Sequence, residues 1–359
     1  MNSSYVKKTC AFNRIRRQCY SKSEKYGYLF ALLPMCFCGA IVSAIGLIVF
    51  FRKRPVVKIA PSMKKFLRAL CVSSFGVSLT AIPLAPLRCF SRHRTSMIAS
   101  GLYDAFVLLP IANAFSAASS WLTVAMTVER FIAVKKPFEM RFSHKINITY
   151  LIICIYLGAF GLHLPYFFYR LPNARGIPLQ TAFGRSRYFR YYLWARMIIA
   201  KMIPIVLMIF FNAGLIIALW RIRRNRNVLI GIRQNSHNVD HHGKITIMAL
   251  ALSTAYVLCH ILEPIIHTPI FELFMGKCHL HGKVHRRITM TSNVLELSSC
   301  TLYFVLLCAF NTSFRRAAKW HLFPCKRHVQ IQHEGHPTTI WIAQRADSIR
   351  KQSLKSSSA

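Results

Sequence analysis

The stretch Ser120-Trp-Leu-Thr-Val-Ala-Met-Thr-Val-Glu129-Arg130-Phe131-Ile-Ala-Val-Lys-Lys-Pro-Phe138 decides the fold. It closes an uncharged apolar run, 105–128, and sets an acid and an arginine side by side where the hydrophobicity stops. A run of roughly 20 apolar residues crosses about 30 Å of hydrocarbon as a helix. Lipid offers the backbone no hydrogen-bond partner, so such a run must close its bonds internally. Six more runs of this kind occur at 26–51, 69–87, 146–169, 202–220, 245–262 and, around one acid, 288–314. The expected fold is therefore all-α, a membrane-embedded seven-transmembrane helix bundle over 26–314. A polar, basic tail precedes it at 1–25, and a cytoplasmic amphipathic helix and tail follow at 315–359.

Composition agrees. The 359 residues are 54% hydrophobic, with a mean hydropathy of +0.35, and the apolar residues are grouped in long blocks rather than dispersed. A net charge of +38 raises the question of nucleic acid. The Lys and Arg residues lie between the apolar blocks, however, as in loops beside anionic lipid headgroups, so membrane lipids are the expected partner and nucleic acid is not. Lys and Arg number 27 on the side holding the connections after the first, third and fifth runs and the C-terminus, against 20 on the other. The positive-inside rule then places the N-terminus outside and the C-terminus in the cytoplasm. No cleavable signal peptide is expected ahead of the first run. Asn2-Ser3-Ser4 is the glycosylation candidate on the outer side.

Seven cysteines (Cys36, Cys38, Cys71, Cys154, Cys259, Cys300 and Cys308) fall inside apolar runs and read as packing residues. Cys10, Cys19, Cys89 and Cys278 face the expected oxidising side, where four cysteines allow three pairings. After the seventh run, Phe314 to Cys325 reads as a short amphipathic helix on the inner membrane surface, ended by Pro324, with Cys325 as the lipidation candidate. No Ser/His/Asp, metal or phosphate-loop constellation is apparent, so neither catalysis nor a cofactor is expected.

These residues together resemble a rhodopsin-like G-protein-coupled receptor, most similar to the nematode FMRFamide-peptide receptor-like group. Trp121, Glu129-Arg130-Phe131 and Val134 to Phe138 match the third helix and the loop after it. Pro204 with Asn212 matches the fifth helix and Leu258-Cys259-His260 the sixth. Ser292-Asn293, Ser299 to Phe304, Ala309-Phe310 and Phe314-Arg315-Arg316 follow the seventh helix and tail. The resemblance implies a plasma-membrane receptor for an extracellular neuropeptide or small-molecule ligand, with a heterotrimeric G protein as its inner partner. It further implies that Glu129 holds Arg130 at rest and that Arg130, with Phe131, engages the G protein once freed. Several family positions are altered. Ser43 stands for the first-helix Asn, Ser74 for the second-helix Asp, Tyr156 for the fourth-helix Trp, Tyr303 for the seventh-helix Asn and Leu307 for the seventh-helix Tyr. Ala105 stands where the family has the cysteine of its outer disulfide, and residues 170–196 contain no cysteine to pair with it.

Only ten acids occur in the chain. Asp104, Glu263, Glu272 and Glu296 lie toward the expected outer half, and intramembrane acids mark functional sites because an unpaired charge there is costly. Asp104, Glu263 and Glu296 are the ligand-pocket candidates, with Tyr103, Phe106, Phe271 and Phe274 as aromatic neighbours. An Arg-Phe-amide ligand would present a guanidinium to the acids and a ring to the aromatics. Internal pairing of Glu263 or Glu296 with Lys201, Arg196, Arg286 or Arg287 is the other expectation. Two further functions stay open at this point. A diverged seven-helix receptor would be chemosensory or would bind without signalling. A transporter or channel would carry paired charges near mid-membrane.

Overall fold

A computed structural model describes residues 26–51, 60–89, 94–135, 147–172, 178–228, 236–266 and 283–322. Seven helices are long and apolar enough to cross a membrane: α1 (Gly27–Phe51), α2 (Pro61–Leu87), α3 (Ile98–Lys135), α4 (Ile148–Phe168), α5 (Arg187–Arg221), α6 (Ile245–Ile265) and α7 (Arg287–Phe310). A short α8 (Thr312–Leu322) follows. Asn2, Cys10, Cys19, Phe271, Glu272, Phe274, Cys278 and Cys325 lie outside the described residues. Two compact units result, Met1–Arg315 with the bundle and Arg316–Ala359.

The helices outrun the apolar blocks in both directions. α2 begins at Pro61, whose missing N–H costs nothing in a first turn. Its early basic residues are put to use. Arg68 donates to the Phe50 carbonyl at 2.7 and 3.0 Å, closing the C-terminus of α1, and Lys65 donates to Thr149 Oγ1 at 3.1 Å. α5 begins at Arg187, inside a segment expected to be loop to 196, because Ser186 caps it: its Oγ accepts from Phe189 N at 3.1 Å. Asn147 caps α4 in the same way, accepting from Thr149 N. α8 starts at Thr312, three residues ahead of the expected boundary, because the Asn311 side chain accepts from Phe314 N at 2.8 Å.

α3 is the central element and packs against α2, α4, α5 and α6, while α1 packs against α2 and α7. Small residues allow these close approaches. Ala117 and Ala118 of α3, Ala159 of α4 and Ala200 of α5 form one cluster. A larger one joins Tyr28, Leu32 and Cys36 of α1 to Val77, Ala81 and Leu84 of α2 and Leu297 of α7. Large apolar side chains point outward from several helices, among them Ile48, Leu157, Phe210, Leu258 and Val305, as a lipid-facing surface requires. The cysteines divide likewise. Cys36, Cys259 and Cys300 are buried as expected, but Cys38 and Cys154 are exposed on the outward face and do not pack in the core.

The connection between α4 and α5 holds a small antiparallel hairpin, β1 (Arg170–Pro172) and β2 (Pro178–Gln180), with Leu171 opposite Leu179. An aromatic clasp ties this connection to the ends of α4 and α5. Phe189 is almost fully buried, stacked 4.7 Å from Tyr169 and edge-on or tilted to Phe183, Tyr192 and Tyr166. Arg196 lies over the Tyr166 ring at 5.2 Å, and Tyr192 donates to the Leu162 carbonyl at 2.6 Å. Aromatic pairs of this geometry add about 0.5–1.5 kcal/mol each beyond the area they bury. Replacing Phe189 with Ala is expected to destabilise the protein by about 3–5 kcal/mol, the cost of emptying a buried aromatic position. A thermal unfolding scan of the purified protein reads this as a lowered midpoint.

Candidate functional site

Besides the π-helical start of α1 at Gly27–Leu32, α3 and α5 lose their regular hydrogen bonding part-way along their length. In α3 the segment Asp104–Ala112 is π-helical around Pro110, and the Asn113 side chain donates to the Leu109 carbonyl at 2.9 Å. In α5 the segment Ile198–Met202 is π-helical just before Pro204. Pro204 has no N–H to offer Ala200, so the helix widens there. That wider turn carries Lys201, which is buried.

An ammonium in a low-dielectric interior requires partners, and Lys201 finds them on three helices. It donates to Glu263 of α6 at 2.5 Å and to Ser116 Oγ of α3 at 2.7 Å, and it lies 3.5 Å from Glu296 of α7. Ser116 in turn donates to Glu296 Oε1. His260, one turn before Glu263, places Nδ1 3.4 Å from Glu263 Oε2 and Nε2 3.3 Å from Ser299 Oγ. Below it Tyr256 stacks on the imidazole at 3.9 Å, hydrogen-bonds Ser120 of α3, and stacks at 6.4 Å against Tyr303 of α7. His260, Glu263 and Glu296 bring donor atoms within 4.8 Å of one another, the spacing a cation needs. The chain supplies that cation itself, as the Lys201 ammonium.

Glu263 and Glu296 are thus brought together, and their expected internal pairing with Lys201 is realised. Glu296 is the more open of the two, with 21% of its side chain exposed against 11% for Glu263. Tyr103 turns elsewhere, donating to the Thr80 carbonyl of α2 at 2.7 Å. Asp104 and Phe106, both half-buried, belong to the same early part of α3. Asp104 lies 12 residues before Ser116, about 18 Å of helix rise away. Arg287 is exposed at the start of α7. Ser116, Ser120, Tyr256, His260 and Ser299 were not assigned a site role from sequence. His260 carried the one usable signal, a titratable group one helical turn before an intramembrane acid.

At the opposite end of the bundle Arg130 donates to Glu129 at 2.7 Å and reaches Ser62 Oγ of α2 at 3.4 Å. The pair is nearly dry, at 5% and 13% side-chain exposure, so the contact is far stronger than the same pair in water. Phe131 packs on Phe211 of α5 with centroids 5.5 Å apart. It lies so close to Gly214 that a Cβ there would come within 2.6 Å of the ring. Asn212 accepts from Ser253 at 2.6 Å, a second tie between α5 and α6. Between the two ends, Ser43, Cys71, Ser74, Cys300, Tyr303 and Leu307 line one small cavity, about the size of a single water molecule. Tyr156, at the fourth-helix Trp position, bonds to Ser73 at 2.8 Å and to the Ala69 carbonyl at 2.7 Å, tying α4 to α2.

The model of the seven-transmembrane receptors of the rhodopsin family matches residues 28–302. The chain belongs to that family. This rhodopsin-family receptor is also similar to a probable G-protein coupled receptor of Caenorhabditis elegans, 23% identical over 67% of this chain and 63% of the relative. A second probable G-protein coupled receptor of that organism is 21% identical over 83% of this chain and 69% of the relative. A sex peptide receptor-related protein, also from C. elegans, is 20% identical over 62% and 56%. The match thus spans under two thirds of the length of the first relative. The family is one of receptors and not of enzymes. Paired charges inside the membrane, the expected mark of a transporter, here occur in a receptor fold.

The cluster makes a sharp stability claim for the receptor. Lys201→Met leaves two acids without their ammonium and is expected to cost about 3–5 kcal/mol. Adding Glu263→Gln to Lys201→Met should recover a large part of that loss. Thermal midpoints of the single and double variants in detergent check it, and equal midpoints would contradict it.

Proposed function

We propose that this protein is a plasma-membrane receptor, N-terminus outside, that binds an extracellular peptide and signals through a heterotrimeric G protein. The observation that carries the reading is the tie of α5, α6 and α7 through Lys201, at the end of the bundle opposite the Glu129–Arg130 pair. A ligand that competes for Glu263 weakens the bond between α5 and α6, and one that competes for Glu296 weakens the bond between α5 and α7. Helix rearrangement at the far end then separates Arg130 from Glu129 and presents it to the G protein. The family match supports a receptor role, and the similarity to a sex peptide receptor-related protein supports a peptide. Glu296, the more exposed acid, suits an ammonium or guanidinium on that peptide, as the resemblance to FMRFamide receptors also implies. Membrane lipids meet the basic connections on the inner side, and Cys325 is the lipidation candidate there.

A peptide panel read through cyclic AMP and calcium tests the reading. Arg130→Ala is expected to abolish the response while surface expression stays intact. Glu296→Gln is expected to lower the potency of a cationic peptide about tenfold to hundredfold, the worth of one charge-assisted hydrogen bond. A parent chain silent to every peptide would favour a receptor that binds without signalling, and full coupling by Arg130→Ala would remove the switch role.

A further inference from the structure

We propose that His260 is a proton-binding site, so that extracellular acid acts on this receptor by transferring Lys201 from Glu263 to Glu296. The inference rests on the hydrogen bonding around one buried imidazole. Glu263 Oε2 faces Nδ1 at 3.4 Å, and a carboxylate only accepts. Ser299 Oγ faces Nε2 at 3.3 Å while donating its own proton to the Glu296 carbonyl at 2.6 Å. Both ring nitrogens therefore face acceptors. A neutral imidazole has one N–H and leaves one acceptor unserved, whereas an imidazolium serves both. The Tyr256 ring, parallel to the imidazole at 3.9 Å, offers the π face that a cation favours.

Protonation has a mechanical consequence because Lys201 and His260 address the same atom, Glu263 Oε2. One oxygen then faces two cations. Lys201 has another acid in reach, Glu296 Oε1 at 3.5 Å, and Ser116 already bridges to it. The proton arrives on Nε2 or Nδ1, the imidazolium takes Glu263 within α6, and the ammonium closes on Glu296. No charge is left unpaired. The tie between α5 and α6 becomes a tie between α5 and α7. α6 is thereby released at the end opposite Arg130.

Among the described residues, the groups facing His260 and its partners from every packed element are few. α6 itself contributes Glu263 and Tyr256, α5 contributes Lys201, α7 contributes Glu296, Ser299 and Tyr303, and α3 contributes Ser116 and Ser120. Beyond Lys201 lie Arg196 of α5 and His163 of α4, whose Nδ1 donates to the Ala159 carbonyl of its own helix at 2.8 Å. The Glu263 carboxylate faces His260 at 3.4 Å and that of Glu296 lies within 4.8 Å, while Arg196 lies over the Tyr166 ring. The partial exposure of Glu296 gives the proton a route from the expected outer side.

The test uses the full chain in cells, with a fluorescent reporter inserted in the α5–α6 connection to read helix movement, so that neither a peptide nor a G protein is needed. Lowering the external pH from about 7.5 to about 5.5, the range in which imidazoles titrate, is expected to shift the signal. His260→Asn should reduce that shift at least about tenfold at equal surface expression. His163→Asn, the nearby control, should keep it. Should His260→Asn fail to reach the surface, Glu263→Gln serves in its place, and loss of the shift is again expected. A parent chain with no acid response overturns the proposal, as does a response that survives His260→Asn or Glu263→Gln or vanishes in His163→Asn. A positive acid response alongside a silent peptide panel would uphold the proton site and overturn only the peptide reading.

Discussion

An ammonium cannot sit alone in hydrocarbon, and Lys201 is the group on which the architecture of this receptor turns. Its burial forces two acids and a serine from three other helices to converge on it. Removing one member of such a set exposes the others to an environment that charges them heavily for being ionised. The cluster is therefore a constraint on where α3, α5, α6 and α7 meet, before it is anything else. The π-helical turn ahead of Pro204 is what delivers Lys201 to that meeting point.

The same constraint supplies a means of communication. A charge with two acceptors at 2.5 and 3.5 Å is poised between two arrangements, and each arrangement ties α5 to a different neighbour. In the two proposals a cationic ligand and a proton act on the same balance by different atoms, one at the partly open Glu296 and one at the buried His260. Below the cluster the His260, Tyr256 and Tyr303 rings form a column, with Ser120 attached at its middle. The column passes the small cavity lined by Ser43 and Ser74, so positions that are polar or ionic in the wider family are filled here by hydroxyls and rings. At the far end Glu129 and Arg130 keep the family's pairing in a nearly dry setting.

Much of this was legible in the chain. The seven spans follow from apolar runs because lipid admits no other solution for the backbone. The Glu129–Arg130 contact follows from adjacency at a helix end. Lys201 is one of four cations that the sequence offers as partners of Glu263 or Glu296, and internal pairing is one of its two expectations for those acids. The early start of α5 was not read because its first turns are rich in Arg and Tyr, and only the Ser186 cap and the packing of Phe189 make them helical. Tyr103 looked like a pocket aromatic, yet its hydroxyl is spent on the α2 backbone.

The length of the apolar runs and the placement of charge therefore determined the class and the number of spans, because these depend on the solvent each segment must face; the family rests on the matching motifs and on the family model over residues 28–302. Tertiary structure alone decided which charges meet. Glu263, Glu296, His260, Lys201 and Ser116 are spread over 181 positions of sequence. They become one site only because a π turn, a pair of prolines and a row of alanines set the distances between helices, and electrostatic energy inside a membrane depends on those distances more than on which residues are present.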